Sequence, residues 1–256
     1  MKNERIQDLV SIITPVYNAE RVIERTIRSV QEQSYTRWEM LLIDDCSTDG
    51  SAALIERISS ANAQIRYIRL ERNSGAAVAR NCGLKEARGR FVAFLDADDY
   101  WQSNKLQRCL DLMRERECAF VYTATQMIDE DDRPLGNYTP VPVWTDYSHL
   151  LKRTVIATST VVIDMERMGE FEMPLRRSGQ DYATWLMLLR RVERAYGIDE
   201  PLSLYRISRN SLSSNKLKSI RQVFEIQTRN EGLNPVYAAW NTFFFCLYAF
   251  KKHFMK

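Results

Sequence analysis

The chain has 256 residues, 45% of them hydrophobic and 27% charged, with five cysteines, two histidines and a formal net charge of +3. That length is generous for one domain and short for two, and the composition is globular, so disorder is excluded and one α/β domain with a smaller appendage is expected. No cysteine pair has CxxC spacing and histidines are too few for a zinc site, so neither a disulfide framework nor structural zinc is expected and a reducing, cytoplasmic location fits.

The opening MKNERIQDLV is polar and lacks an apolar h-region, so no signal peptide is expected. Leu9–Ile13 is a buried-strand pattern closed by Pro15. Positions 19–32 follow with helical spacing, Val22, Ile23, Ile27 and Val30 sharing one face. The pattern then predicts a strand at 40–43, a helix from about Asp49 carrying Leu54, Ile55 and Ile58, a strand at 65–70 and a helix over 74–87. A strand at 90–95, a helix at 105–115 and a strand at 118–123 complete this half. Repeated strand–helix–strand units imply a mostly parallel sheet covered by helices.

After Ile128 the alternation stops. The run 129–134 reads as a polar hairpin tip; 145–152, 181–194 and 214–229 read as helices, with strands near 159–163 and 195–206. From Leu150 on, 17 Lys/Arg stand against 10 Asp/Glu, whereas the first 149 residues hold 19 against 23. An acidic first part suits a metal and a basic second part suits phosphate groups or an anionic membrane surface; two ordinary solvated faces would look the same. The last segment, Pro235–Lys252, is helix-compatible, aromatic and lysine-ended, as expected of an interfacial membrane helix or of a terminal helix packed on the core. No apolar run is long enough to predict a membrane-spanning helix.

Ligands of open α/β sheets bind beyond the carboxyl ends of the strands. Three acid-bearing loops follow predicted strands: Thr14–Glu20, Asp44–Gly50 and Asp96–Asp99. Asp49 is read first as a helix cap. Asp44 and Asp45 could accept hydrogen bonds from a base edge or a ribose. Asp96, Asp98 and Asp99 crowd like charges, which is costly without a cation, and carboxylates with substrate phosphates suit Mg²⁺ or Mn²⁺. Between them, the small residues at 75–77 and 79 let a helix begin close to a ligand, with Arg80 one turn in; a helix N-terminus and an arginine both favour a diphosphate. Close helix–sheet packing alone would also use those small residues.

The set VSIITPVYNAE (10–20), IDDCSTDGS (43–51), RNSGAAVARNCG (72–83) and FLDADD (94–99) resembles the family 2 inverting glycosyltransferases of bacterial surface-polysaccharide synthesis, which have the GT-A fold. The resemblance implies that Pro15, Tyr17, Glu20, Asp45 and Arg80 line a nucleotide pocket, uridine being the commonest base. It implies that Asp96 lies on the ribose or metal side and that Asp98 holds a divalent ion, Mn²⁺ or Mg²⁺, on the donor diphosphate. The family's base belongs to a Glu-Asp pair opening a later helix; here Gln180 replaces the first acid and Asp181 keeps the second. Many relatives also carry a metal-binding histidine after the last strand. The matching segment, Tyr205–Lys216, has none; Arg206, Arg209 and Lys216 could hold donor or acceptor phosphate there, and His149 and His253 are read as surface or packing residues.

The resulting expectation is a GT-A catalytic domain over 1–213, with its nucleotide part at about 1–127 and its acceptor part at about 128–213, and a helical extension over 214–256. It would transfer a hexose or N-acetylhexosamine from a UDP-sugar to a saccharide or polyprenyl-diphosphate-linked saccharide. Peripheral membrane association at the inner face of the plasma membrane is expected, and nucleic acid is not an expected partner. A weakly catalytic sugar-nucleotide-binding module keeps Gln180 and the absent histidine in view. A sugar nucleotidyltransferase would show a glycine-rich basic loop at 14–20, and a dinucleotide oxidoreductase a GxGxxG there; neither is present.

Overall fold

The architecture was obtained as a computed structural model, which describes residues 4–207 and 216–254. Four strands and three helices alternate at the start of the chain: β1 (Ile6–Val16), α1 (Ile23–Gln31), β2 (Trp38–Asp44), α2 (Ser51–Ala61), β3 (Ile65–Arg69), α3 (Ala76–Glu86) and β4 (Gly89–Phe94). β2 and β4 flank β1 in parallel and β3 adds to β2. Successive residues of these strands bury on opposite faces: Ile12, Met40 and Leu42 join α1, α2 and α4 (Lys105–Arg116), while Ile13, Leu41 and Ile43 meet α3 and the later helices. A strand covered on both faces is apolar through its centre, which is why β2 reads as a continuous run over Met40–Ile43.

Beyond β4 the sheet becomes mixed. Its order is β3-β2-β1-β4-β8-β6-β9-β5, with β7 (Trp144–Thr145) on β9. β8 (Val162–Asp164) lies antiparallel between β4 and β6 (Phe120–Ile128), and β9 (Ala195–Arg206) runs parallel to β6. The expected hairpin tip is present: Asp129 Oδ1 accepts the amides of Asp131 and Arg133, each at 2.9 Å.

Short elements escaped the periodicity. These are β5 (Tyr100–Trp101), the single turn α6 (Met165–Met168) and the 3₁₀ turn Thr158–Thr160 that takes the first half of the strand expected at 159–163. α5 (Tyr147–Lys152) is capped by Asp146, whose side chain accepts the His149 amide. The helix expected over 181–194 is α7 (Gln180–Leu189), and that expected over 214–229 is α8 (Lys216–Glu225) followed by a π-helical turn, Ile226–Asn230. The final helix, α9 (Pro235–Phe254), packs on α5 and α8. The expected boundary at 213 lies outside the described residues.

Candidate active site

The loops after β1, β2 and β4 and the N-termini of α3 and α7 surround one cleft of about 1250 Å³. The β1 loop is stitched to the β2 loop: the Asn18 amide donates to Ser47 Oγ at 3.0 Å, Asn18 Oδ1 accepts the Thr48 amide at 2.9 Å, and the Ala19 amide donates to Ser51 Oγ at 2.8 Å. This turn holds Pro15 and Tyr17 at the cleft, the Tyr17 ring 51% exposed. It sends Glu20 the other way. Glu20 Oε2 accepts the Gly50 amide at 3.0 Å and stands outside the cleft lining, because the amides of the 47–50 turn offer it partners that the cleft does not. The expectation had Glu20 lining the nucleotide pocket; in this structure its carboxylate faces the 47–50 turn instead. Asp49 is the expected cap of α2; Gly50 takes the N-cap position, and Asp49, one residue before it, accepts the Ser51 amide at 3.0 Å.

Asp44 and Asp45 separate. Asp44 is fully buried and accepts the Ser47 amide and the Tyr67 hydroxyl, each at 2.8 Å. Asp45 reaches the cleft, and its two oxygens accept the amides of Ser74 and Gly75, each at 2.7 Å. Those bonds aim the start of α3, where Gly75 has φ 89°, a conformation a side chain resists. The small residues of α3 serve packing as well: a Cβ on Gly83 would meet Ile13 Cγ2 at 2.4 Å. Arg80 projects from α3 into the cleft wall, only 4% exposed, and its Nη2 pairs with Asp96. Its Nε and Nη1 are buried with no partner. The next residue, Asn81, accepts the Met173 amide at 2.7 Å and donates to the Met173 carbonyl at 2.9 Å, tying the segment that leads to α7 onto α3.

The acidic run divides by function. Asp99 is buried, accepting Ser159 Oγ–H at 2.6 Å and the Arg206 amide at 3.1 Å; burial, with the charges of Asp96 and Asp98 added, pushes its carboxyl well up. It is a structural tie for the loop. Asp98 reaches solvent in the cleft, yet the protein around it strips part of its hydration and Asp96 adds like charge, so its carboxyl is raised as well. Among the described residues no group of three or more His, Cys, Asp or Glu is arranged to hold a metal. Arg206 lines the cleft, but its guanidinium donates to the carbonyls of Asp98 (3.2 Å), Asp129 and Glu130 (both 3.0 Å) and pairs with Asp132. It clamps the β6 hairpin over the acidic loop. Arg209 and the side chain of Lys216 lie outside the described residues. His149 bonds Asp146 and meets the Trp144 ring, a surface packing role.

On the opposite wall, Gly179 (φ 70°) is the N-cap of α7, so Asp181 is not the cap but the second helical residue. Its carboxylate lines the cleft and takes no hydrogen bond or ion pair from a described residue. One turn on lies Trp185, buried between Phe94 and Phe120, with an unpartnered Nε1. Sequence reasoning missed Trp185, although its i+4 spacing from Asp181 was a usable signal. It also missed Leu150, Ile156, Gln222, Val223 and Phe245 on the same wall, which nothing local marks.

The sequence profile described as Glycosyl transferase family 2 matches residues 11–173, more than half of the chain and all four acid- and arginine-bearing segments. The chain belongs to this family. This family 2 glycosyltransferase is 45% identical over 232 residues to the putative teichuronic acid biosynthesis glycosyltransferase TuaG of Bacillus subtilis (strain 168), spanning 91% of this chain and 92% of that one. It is 37% identical over 219 residues to the UDP-Glc:alpha-D-GlcNAc-diphosphoundecaprenol beta-1,3-glucosyltransferase WfgD of Escherichia coli, spanning 85% of each. S. aureus TarS (1–349) in complex with UDP superposes with a TM-score of 0.68 at 20% identity, covering 91% of this glycosyltransferase and 69% of TarS. The mannosyltransferase PcManGT of Pyrobaculum calidifontis, in complex with GDP-Man and Mn²⁺, gives 0.64 at 16%, covering 88% and 64%. These likenesses establish the GT-A fold.

Proposed function

We infer that this glycosyltransferase moves a sugar from a UDP-sugar to a saccharide carried on a polyprenyl diphosphate, with inversion, in bacterial surface-polysaccharide synthesis. The observation that carries the reading is the pairing, across one cleft, of two unlike features. On one wall a buried guanidinium, Arg80, keeps two donors without partners beside Asp96 and Asp98; on the other, Asp181 offers a carboxylate that no described residue engages. Unpaired buried donors favour an anion, and a free carboxylate opposite them favours a proton to be removed.

In this reading Tyr17, Pro15 and Asp45 receive the nucleoside, and Arg80 receives the diphosphate. Asp181 takes the proton of the acceptor hydroxyl as its oxygen bonds to the anomeric carbon, and the bond from that carbon to the diphosphate breaks on the opposite face. A single displacement inverts the configuration. A divalent ion, Mn²⁺ or Mg²⁺, would when bound offset the charge of the departing diphosphate. Asp98, with Asp96 partly committed to Arg80, would hold that ion together with phosphate oxygens and water. The presence of Mn²⁺ with PcManGT and the donor and acceptor in the name of WfgD support these choices.

The catalytic unit is read as 1–213, nucleotide part first, and 214–256 as its helical extension. Because Val223 and Phe245 line the cleft, that extension closes the acceptor end rather than standing apart. The basic second half and the aromatic α9 support work on a membrane-linked acceptor, by peripheral association at the inner face of the plasma membrane. A binding module without turnover would have no use for the unengaged Asp181.

The test is a screen of UDP-sugars for UDP release, with a lipid-linked or saccharide acceptor, in the presence of Mn²⁺ and then of a chelator. Acceptor-dependent release with at least one UDP-sugar, lost on chelation, is expected. No transfer with any donor would overturn the reading, and full activity of Asp98→Ala with Mn²⁺ would remove the metal assignment.

A further inference from the structure

α9 carries apolar side chains on two opposite faces. On the inner face Ala238 and Thr242 are buried, and Phe245 packs on the core and walls the cleft with Leu150, Ile156 and Val223. On the outer face stand Val236, Trp240, Phe243, Leu247 and Phe250, each between 41% and 79% exposed. At about 100° per residue these five fall within an arc of roughly 80°, so they form one continuous stripe. A stripe of that kind marks a contact surface.

The surroundings of the stripe say what covers it. Cations from α5 and the turn after it lie on one flank of α9, between the stripe and the buried face: Lys152 Nζ is 6.0 Å from the Phe244 ring centroid, and the Arg153 guanidinium is 5.6 Å from that of Tyr248. The sequence adds Lys251 and Lys252 near the end of the helix. Tyr237, Trp240 and Tyr248 have the amphipathic rings that settle at a membrane–water boundary. No described helix is long and apolar enough to cross a membrane, so α9 could enter a bilayer only by lying along it. A second copy meeting this stripe about a two-fold axis would set its own cations near these, with no acid in the sequence of α9 to match them. The complementary partner is an anionic surface that is apolar beneath.

We propose that α9 lies in the plane of an anionic lipid bilayer, with Val236, Trp240, Phe243, Leu247 and Phe250 in the acyl boundary and Lys152 and Arg153 at the headgroups. Since the inner face of the same helix walls the cleft, docking sets the apolar end of the cleft against the lipid. That consequence for a lipid-linked acceptor rests on the function proposed above; the docking itself does not.

The test uses the full chain and sedimentation with vesicles of phosphatidylcholine alone or mixed with phosphatidylglycerol. The protein should sediment with the anionic vesicles, less with the neutral ones, and less at high salt. Trp240→Gln with Phe243→Gln should lower the partition coefficient by about tenfold or more, with an unchanged thermal midpoint. Lys152→Gln with Arg153→Gln, outside α9, should remove the preference for anionic vesicles, and this pair decides the matter if the first fails to fold. Absence of vesicle binding, unaltered partitioning of the ring variant, or an unaltered lipid preference of the cation variant would overturn the proposal. So would a dimer, seen by analytical ultracentrifugation, that the ring variant dissociates without any vesicle binding. Vesicle binding without UDP release in the donor screen would sink the catalytic reading and leave the docking standing.

Discussion

Arg80 pairs with Asp96 through a single guanidinium nitrogen, while its Nε and Nη1 are buried without partners. An arginine so placed is held by one carboxylate and left able to receive a second anion. Each unsatisfied buried donor costs about 1–3 kcal/mol, a cost that the diphosphate proposed to bind there would relieve.

Arg80→Lys tests this directly, since lysine keeps the charge and loses the planar fork. The Kd for UDP, measured by calorimetry, should rise by about tenfold or more. A Kd unchanged within about twofold would remove Arg80 from the donor site.

Asp181→Asn preserves shape and removes the basic oxygen. Because Gly179 is the cap of α7 and no described residue bonds Asp181, stability should hold. The turnover number should fall by about 10²–10⁴-fold, with UDP affinity unchanged. A large drop in thermal midpoint would make Asp181 a structural residue instead.

Arg206→Met releases the carbonyls of Asp98, Asp129 and Glu130 and the carboxylate of Asp132. Urea unfolding should show a loss of about 2–3 kcal/mol, and the KM for donor should rise because the Asp98 loop is no longer held. A raised KM with unchanged stability would assign Arg206 to direct phosphate contact.

Lys105 offers a pH test away from the cleft. It is fully buried, its Nζ lies 3.6 Å from the Trp101 ring centroid without a hydrogen-bond partner, and burial pulls its pKa down to about 8. Below about 8 both folded and unfolded chains are protonated and the full cost of the buried charge is present. Between there and the ordinary lysine range the unfolded chain binds more protons, so stability rises with pH. Lys105→Met should therefore be more stable than the natural chain at pH 7, by roughly 3 kcal/mol, and the gap should narrow by pH 10. Denaturant melts at the two pH values measure it; a gap that widens with pH would contradict the assignment.

Much of this was legible in the chain itself. The alternation of apolar strands and amphipathic helices through Thr123, the three acid-bearing loops, the small-residue start of α3 and the helix opened near Asp181 all rest on local periods and short motifs. The tertiary structure decided which of those polar groups remain available to a ligand. Asp99 is consumed by Ser159 and by the amide of Arg206, 107 positions away. Glu20 is drawn to Gly50, Asp44 to Tyr67, and Arg206 to the β6 hairpin. The cleft wall from Trp185 to Phe245 likewise exists only once α5, α7, α8 and α9 converge on one end of the sheet. A side chain's chemistry is written at its own position, but whether that chemistry is free depends on partners that only folding brings within hydrogen-bonding distance.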